Sequence, residues 1–296
     1  MIENKIKGTL GSNQLSRHNK NFNGKIVIKS WQEIYVLLRD IEQEIKDIKS
    51  LFLLKQFLKY LEVINMAPFV GFEKEDFDFW MLEKDDLFYE EIDRVKRKMQ
   101  MYLEEIRDSP KLSQELRKNF KSINVGNITK DSDIIWGSLS KDQNKQYDTH
   151  YSCRMSSDIF EVFITTQTKG LVNSFLDDMA DKNKFKRFMK ILGSLEGYKL
   201  TLKEIKRNPK TKRAIKYIPV CSFETNYVNE EAVNYFIQMT SNLTKEGSSY
   251  RAGKYCVINL EKEFKRDLVI PKAKTFVEVV VSHINEMQDY FDFMNF

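Results

Sequence analysis

The sequence predicts a protein of the α+β class: a short α/β segment, then helices, then an antiparallel sheet packed against helices. Two observations support this prediction. Apolar residues recur at helical spacings of three and four over residues 31–64 and 83–107. From about residue 147 onward, runs of strand-like alternation appear between the helical patterns. Helical and strand-rich regions that follow one another along a chain are typical of α+β proteins.

Length and composition favour more than one folded segment. A chain of 296 residues is near the size at which a single core stops growing. The hydrophobic fraction of 42 %, with 21 Phe and 13 Tyr, is enough to fill packed cores and excludes an intrinsically disordered protein. We therefore predict an α/β segment at 1–65, a helical segment at 66–122 and an α+β domain at 123–296. The last boundary falls at a turn-rich stretch, residues 124–142.

Two helices are predicted in the first segment after its strands. Ser30 is an expected N-cap, and Glu33 three residues later completes a capping box. The following helix runs to about residue 45. A second helix, at about 48–64, is apolar over much of its circumference, which predicts a buried central helix.

Two parts of the helical segment carry side chains that suit nucleic acid. The stretch 69–80 is aromatic, so it either stacks unpaired bases or pins a loop onto a core. The long helix at 83–107 contains a basic run with acidic residues on both sides, which predicts a solvated helix face. That run consists of Arg94, Lys96, Arg97 and Lys98.

The third segment is predicted to alternate strands and helices around one sheet. A hairpin turn at Ser156-Ser157 joins its first two strands, and an interruption near Asp181 divides its first helix. The predicted elements, in order, are strands at 151–154 and 159–164, a helix at 170–192, a strand at 198–206, a helix at 229–243, a strand at 255–260 and a helix at 276–293.

One loop of this segment is strongly cationic. It holds six basic side chains and no acidic one, and four of them are candidate nucleic-acid ligands: Arg207, Lys210, Lys212 and Arg213. Such a loop lies either along a phosphate backbone or at a solvated hairpin tip.

Charge, cysteines and hydropathy narrow the class of protein. Lys+Arg 48 against Asp+Glu 43 leaves a net charge of +5, which permits contact with DNA without requiring it. The three cysteines, Cys153, Cys221 and Cys256, have no metal-ligand spacing and are expected to be reduced, buried thiols. Neither an apolar run long enough for a membrane span nor a signal peptide is present, so we expect a cytoplasmic protein without a membrane partner. No nucleotide-cofactor motif occurs.

The first thirty residues hold the densest candidate chemistry. A strand-like run, Ile2 to Ile6, projects Glu3 and Lys5 from one face, because side chains alternate along a strand. A carboxylate beside an ammonium suits Mg²⁺ and the phosphate oxygens that it binds. Gln14 and His18 are four residues apart in a short helix-like run, hence on one helical face. The alternative interpretation is an ordinary solvent-exposed strand, because Glu-x-Lys pairs are common on such strands.

This arrangement resembles the PD-(D/E)XK nuclease superfamily, in which a strand carrying E-x-K precedes a helix carrying Q-x-x-x-Y. Glu3-Asn4-Lys5 matches the strand, and Gln14 to His18 matches the helix with His18 at the Tyr position. The resemblance implies a restriction-endonuclease-like core in which Glu3 binds magnesium, Lys5 stabilises the transition state and Gln14 supports the site. The nucleic-acid ligands that it implies are Arg17, His18 and Lys20.

The match departs from the family in one respect. The family places an aspartate ligand on a strand upstream of E-x-K, and here only Met1 and Ile2 precede Glu3. We therefore expect a truncated or degenerate core. Residues 160–164 and 264–267 also resemble the C-terminal domain of some bacterial proteins of this superfamily.

Two functions stay open at this point. One is a Mg²⁺-dependent DNA endonuclease of a restriction or defence system, and the other is a non-catalytic module that binds nucleic acid or a protein partner.

Overall fold

The computed structural model describes residues 29–64, 66–82, 86–126, 134–142, 148–207, 214–245 and 256–295. The chain forms two compact units, one up to Pro68 and one from Phe69. It has the predicted α+β class, with an antiparallel sheet packed against helices. The predicted strands of the α/β segment, before residue 29, lie outside the described residues. The helices after Phe69 belong to the same unit as the sheet.

The first unit contains a hairpin of two helices, α1 (Trp31–Glu42) and α2 (Ile48–Val63). The predicted capping box is confirmed: the Glu33 amide donates to the Ser30 hydroxyl, and the Ser30 amide donates to the Glu33 carboxylate at 2.7 Å. Between the helices, the buried Tyr35 hydroxyl donates to Glu62 Oε1 at 2.6 Å. This bond satisfies a carboxylate that is itself buried.

Helix α2 is not the central buried helix that its composition predicts. Its side chains at Leu54, Leu58 and Leu61 are buried, but Phe52 is 60 % exposed and Leu53 is 66 % exposed. The prediction was wrong for these positions because a helix packed on a single neighbouring helix buries only one stripe of its surface.

The second unit alternates helices and strands. The break predicted near Asp181 is confirmed, because Asp181 caps a new helix through the amides of Asn183 and Lys184. The α-helices and strands of this unit, in chain order, are α3 (Lys74–Asp78), α4 (Asp86–Asp108), α5 (Gln114–Asn119), β1 (Ser122–Val125), β2 (Ile135–Ser140), β3 (His150–Met155), β4 (Ile159–Thr166), α6 (Lys169–Ala180), α7 (Lys182–Gly193), β5 (Lys199–Arg207), β6 (Ala214–Glu224), α8 (Glu230–Lys245), β7 (Cys256–Lys265), α9 (Arg266–Val269), α10 (Phe276–Glu286) and α11 (Gln288–Asn295).

The strands form one antiparallel sheet with the order β1-β2-β3-β4-β7-β5-β6. The last strand of the chain, β7, therefore lies between β4 and β5. Leu260 of β7 pairs with Ile164 on one side and with Leu200 on the other, and all three side chains are fully buried. One face of the sheet thus supplies the core, and the opposite face carries mainly polar residues.

Three strands were missed by the sequence prediction. Strands β1 and β2 occupy much of the stretch predicted as turn-rich, and β6 follows the basic loop. The Gly and Ser residues of β2 are poor strand formers, but tertiary pairing with β1 and β3 decides the outcome. Close packing explains why residue 137 is a glycine, because a Cβ there would lie 2.6 Å from Leu103 Cδ1.

The aromatic stretch 69–80 is pinned onto the core, one of the two outcomes predicted for it. Phe69, Phe72, Phe77 and Phe79 are at most 2 % exposed. The Phe72 ring lies 5.1 Å from that of Phe160, within the usual range for aromatic pairs. These buried rings do not form a platform for stacking bases.

The basic run of α4 is only partly solvated. Arg94 is 3 % exposed and Lys98 is 1 % exposed, so the predicted solvated face was wrong for both. Their charges meet the fully buried Asp76: Arg94 Nη1 lies 2.6 Å from one carboxylate oxygen, and Lys98 Nζ lies 2.8 Å from the other. Burial alone would raise the pKa of Asp76, but the two cations hold it below its ordinary value.

A close backbone contact joins the start of this unit to a turn near its end. Gly71 has φ +111°, and a Cβ placed on it would lie 2.3 Å from the Cα of Ala273. Ala273 itself has φ 46° and ψ −128°, a conformation that L-residues seldom adopt. Glycine is therefore required at position 71 both for its backbone angle and for space.

We predict that Gly71→Ala lowers the free energy of unfolding by on the order of 2–3 kcal/mol, because the variant combines a positive φ with a steric overlap. Urea unfolding followed by circular dichroism measures the change. The matched control is Gly170→Ala, in the exposed first turn of α6, where no atom lies within 4 Å of the added Cβ. That variant should be neutral or more stable by up to ~1 kcal/mol, and equal destabilisation of the two variants would contradict the prediction.

Candidate functional site

The side chains of the predicted nuclease motif lie outside the described residues. This applies to Glu3, Lys5, Gln14, Arg17, His18 and Lys20. Their roles, including magnesium binding by Glu3, stay predictions from the sequence. Helix α1, which follows them, begins at the predicted residue.

The predicted basic loop connects two paired strands. Arg207 is the last residue of β5 and pairs with Ala214, the first residue of β6. Lys210, Lys212 and Arg213 fall between these strands, outside the described residues. The loop therefore joins β5 to a strand, β6, that the sequence prediction missed, and its role in binding nucleic acid stays a prediction.

A cluster of buried polar side chains lies on the polar face of the sheet. Lys203 of β5 lies with Nζ 3.0 Å from Oε2 of Glu261 on β7. The other carboxylate oxygen accepts a hydrogen bond of 2.6 Å from the Thr201 hydroxyl. Asn259 Oδ1 accepts a bond of 3.0 Å from Thr165 of β4. We call these five residues the strand-crossing network, because they link β4, β7 and β5.

The electrostatics of this network follow from burial. Lys203 is 5 % exposed and Glu261 is 3 % exposed. Burial alone would raise the pKa of Glu261, but the Lys203 ammonium and the Thr201 hydroxyl hold it below its ordinary value. A carboxylate that stays charged and is fully hydrogen-bonded stabilises strand pairing, and it is a poor proton acceptor at neutral pH.

A second ion pair extends the polar face toward β3. Arg154 of β3 is directly opposite Glu161 of β4, and their side chains form a two-bond guanidinium–carboxylate contact. The guanidinium carbon also lies 5.6 Å from the centre of the Phe163 ring. The positive charge of Arg154 is therefore paired with Glu161 inside the sheet, and the polar face carries charges of both signs.

A separate cluster of titratable groups joins Tyr198, the residue before β5, to β7 and α10. The Tyr198 hydroxyl donates to Glu286 Oε2 at 2.6 Å, and His283 Nδ1 lies 3.0 Å from the same oxygen. Lys262 Nζ lies 4.5 Å above the centre of the Tyr198 ring. Burial lowers the pKa of His283 below its ordinary value, in spite of the nearby Glu286 carboxylate. At neutral pH the imidazole is therefore neutral and can orient the carboxylate.

The cysteines are free thiols, and the described residues form no candidate metal site. All three cysteines are free thiols; Cys153 and Cys256 are buried, as predicted, and Cys221 is half-buried. Burial raises the pKa of Cys256 to about 12, so this thiol is unreactive at neutral pH. Among the described residues, no group of three His, Cys, Asp or Glu side chains could hold a metal ion.

No described helix has the length and apolarity to cross a bilayer.

The sequence prediction missed the strand-crossing network. Its residues alternate with apolar ones along β4, β5 and β7, a sequence pattern that predicts a strand with one solvated face, whereas the network residues are all buried. The alternation predicts which residues share a face. It does not show that β7 inserts between β4 and β5, and that insertion brings Lys203 to Glu261.

Comparisons with known proteins add no assignment: no protein-family model and no curated protein matches the chain.

We predict that the Lys203–Glu261 pair is strongly coupled in stability. Lys203→Met leaves the Glu261 carboxylate buried without its cation, which should cost about 3–5 kcal/mol in urea unfolding at neutral pH. Adding Glu261→Gln removes the unpaired charge, so the double variant should be more stable than Lys203→Met alone. Additive losses from the two single variants would contradict the coupling.

The Lys203–Glu261 pair also makes the free energy of unfolding depend on pH. The folded-state pKa of Glu261 lies below its ordinary, unfolded-state value, so its contribution to stability is complete above the unfolded-state pKa and is lost as pH falls through the folded-state pKa. Glu261→Gln should therefore flatten the acid limb of the plot of unfolding free energy against pH. Lys186→Ala, an exposed change on α7, is the control and should alter stability by less than ~0.5 kcal/mol.

Proposed function

We propose that this chain is a Mg²⁺-dependent DNA endonuclease of the PD-(D/E)XK type with a truncated or degenerate core. The observation that carries the proposal is the motif Glu3-Asn4-Lys5, followed by Gln14 and His18 at the spacing of the family's helix. In this proposal Glu3 binds the metal ion, Lys5 stabilises the charge that develops on the phosphate, and Gln14 supports the site. Bound magnesium would polarise the scissile phosphate and activate water.

The basic connection between β5 and β6 supports contact with the DNA backbone. Its cations follow Arg207 in a short link between two paired strands, and the sequence places no acidic residue among them. Each lysine or arginine that neutralises a phosphate releases counterions, so it raises affinity in a salt-dependent way. Arg207, Lys210, Lys212 and Arg213 are the ligands that we assign to the backbone.

The alternative function is a non-catalytic module that binds nucleic acid or a protein. The same basic connection favours binding to nucleic acid, since contact with phosphate needs no metal ion. The two functions differ in whether Glu3 and Lys5 matter for a chemical step.

We predict that Lys5→Ala lowers the rate of Mg²⁺- or Mn²⁺-dependent cleavage of supercoiled DNA by at least ~100-fold, because it removes the cation beside the reacting phosphate. Glu3→Gln should lower the rate similarly and should also weaken Mg²⁺ binding in isothermal titration calorimetry. Conversion of supercoiled to nicked and linear DNA measures the rate.

The control is Lys186→Ala, which removes one exposed lysine far along the sequence from the motif and should leave the rate unchanged. Equal cleavage by the parent chain and Lys5→Ala would contradict the catalytic assignment. Metal-independent DNA binding by a chain that does not cleave, lost when Lys210, Lys212 and Arg213 are replaced by Ala, would instead support the alternative.

A further inference from the structure

The helix hairpin of the first unit carries an apolar surface that its own packing does not bury. Leu37 and Ile41 are four residues apart on α1, and Leu53, Phe57 and Tyr60 lie at spacings of four and three on α2. Each of these side chains is between 40 % and 66 % exposed. We call these five residues the hairpin patch.

The five residues lie on the same side of the hairpin. Helical spacing places Leu37 and Ile41 in one stripe, with Ile41 about a third of a turn and Leu37 nearly half a turn from the buried Tyr35 that faces α2. Leu53, Phe57 and Tyr60 form the corresponding stripe of α2, on the side where the Phe57 ring contacts Trp31, 6.4 Å between centroids. Phe52, the equally exposed neighbour of Leu53, is about a quarter of a turn further round α2. Helical spacing places it on the other side of the hairpin, where Val36, Ile48 and Val63 are also exposed.

The size of the hairpin patch matches one half of a stable protein interface. Aromatic side chains bury roughly 150–250 Å² each when fully covered, and if the lower end of that range is taken for leucine and isoleucine, the five half-exposed residues offer on the order of 400–500 Å². A standard interface buries about 800 Å² per partner, of which ~60 % is apolar. The patch therefore has the apolar area that such an interface needs.

The charges beside the patch are complementary to each other. The exposed Asp40 lies at the outer edge near the end of α1, and the exposed Lys49 lies at the outer edge near the start of α2. A two-fold axis parallel to the helices places α1 of one copy on α2 of the other, in antiparallel direction. This operation brings Asp40 of each copy beside Lys49 of the other, because both residues are at the same end of the hairpin.

We propose that the hairpin patch is the interface of a homodimer, in which two copies of this chain join their helix hairpins as a four-helix bundle about that axis. Asp40 and Lys49 carry opposite charges at the same end of the hairpin, so the surface is complementary to itself across this axis. Because an isologous contact requires such self-complementarity, we take a second copy of the chain as the occupant of the patch. Interdigitating apolar stripes of antiparallel helices are the usual core of such a bundle. The dimer does not depend on the nuclease motif.

Two neighbouring substitutions in the full chain test the proposal. Leu53→Glu places a charge inside the hairpin patch, and Phe52→Glu places the same charge on the other side of the hairpin. Sedimentation velocity and light scattering at 1–100 μM, with circular dichroism as a check of folding, should give a dimer of the 35.1 kDa chain for the parent. Phe52→Glu should stay dimeric, and Leu53→Glu should be monomeric with an apparent dissociation constant raised at least 100-fold.

A charge exchange tests the orientation and remains informative if Leu53→Glu fails to fold. Lys49→Asp should weaken the dimer at least tenfold, and Asp40→Lys combined with Lys49→Asp should restore it, because the two charges meet again across the axis. A monomeric parent at 100 μM, which would leave the patch to a different partner, overturns the proposal. Equal weakening by Phe52→Glu and Leu53→Glu, or no restoration in the double variant, also overturns it.

Discussion

The insertion of the last strand into the middle of the sheet is the constraint on which the second unit depends. Strand β7 pairs with β4 and β5 along most of its length, so neither β1–β4 nor β5–β6 belongs to the complete sheet until residues 256–265 are in place. On one face, Leu260 completes the apolar core between Ile164 and Leu200. On the other face, the strand-crossing network ties the same three strands through Glu261. Because β7 pairs with β4 across more than ninety residues of sequence and with β5 across more than fifty, this step is costly in chain entropy, and the two buried faces offset that cost.

Charges inside the second unit follow a common rule: each described cluster of buried charge contains both signs. Asp76 lies between Arg94 and Lys98, and Glu261 accepts hydrogen bonds from Lys203 and Thr201. Such pairs hold elements that are distant in sequence, and they keep the carboxylates ionised. These buried ion pairs have a structural role. The chemistry that we propose belongs instead to residues 3–18 and to the basic connection after Arg207. The protein thus combines a charge-paired scaffold with candidate functional groups at its N-terminal segment and at one hairpin.

Much of the fold was predictable from local pattern, and most of the failures have a common physical origin. The Ser30 capping box, the break at Asp181 and the hairpin at Ser156 depend on residues close in sequence, and each was found. Strand β2 was missed because its partners, not its Gly and Ser residues, make it a strand. Strand β6 was missed although its Ile, Tyr, Val and Phe residues are good strand formers. Arg94 and Lys98 were expected to face solvent because their acidic partners lie 18 to 25 residues upstream. The nuclease motif was visible as a pattern, but the strand-crossing network was not, since it exists only after β7 inserts.

Amide hydrogen exchange tests the central claim about β7 most directly. If the sheet depends on insertion of this strand, the amides of residues 256–265 that bond to β4 and β5 should exchange among the slowest in the chain, through global unfolding alone. Those of β1, at the edge of the sheet, should exchange faster through local fraying. Exchange of β7 as fast as that of β1, while β2 and β3 stay protected, would show that β7 is a late and dispensable addition, and would contradict the account.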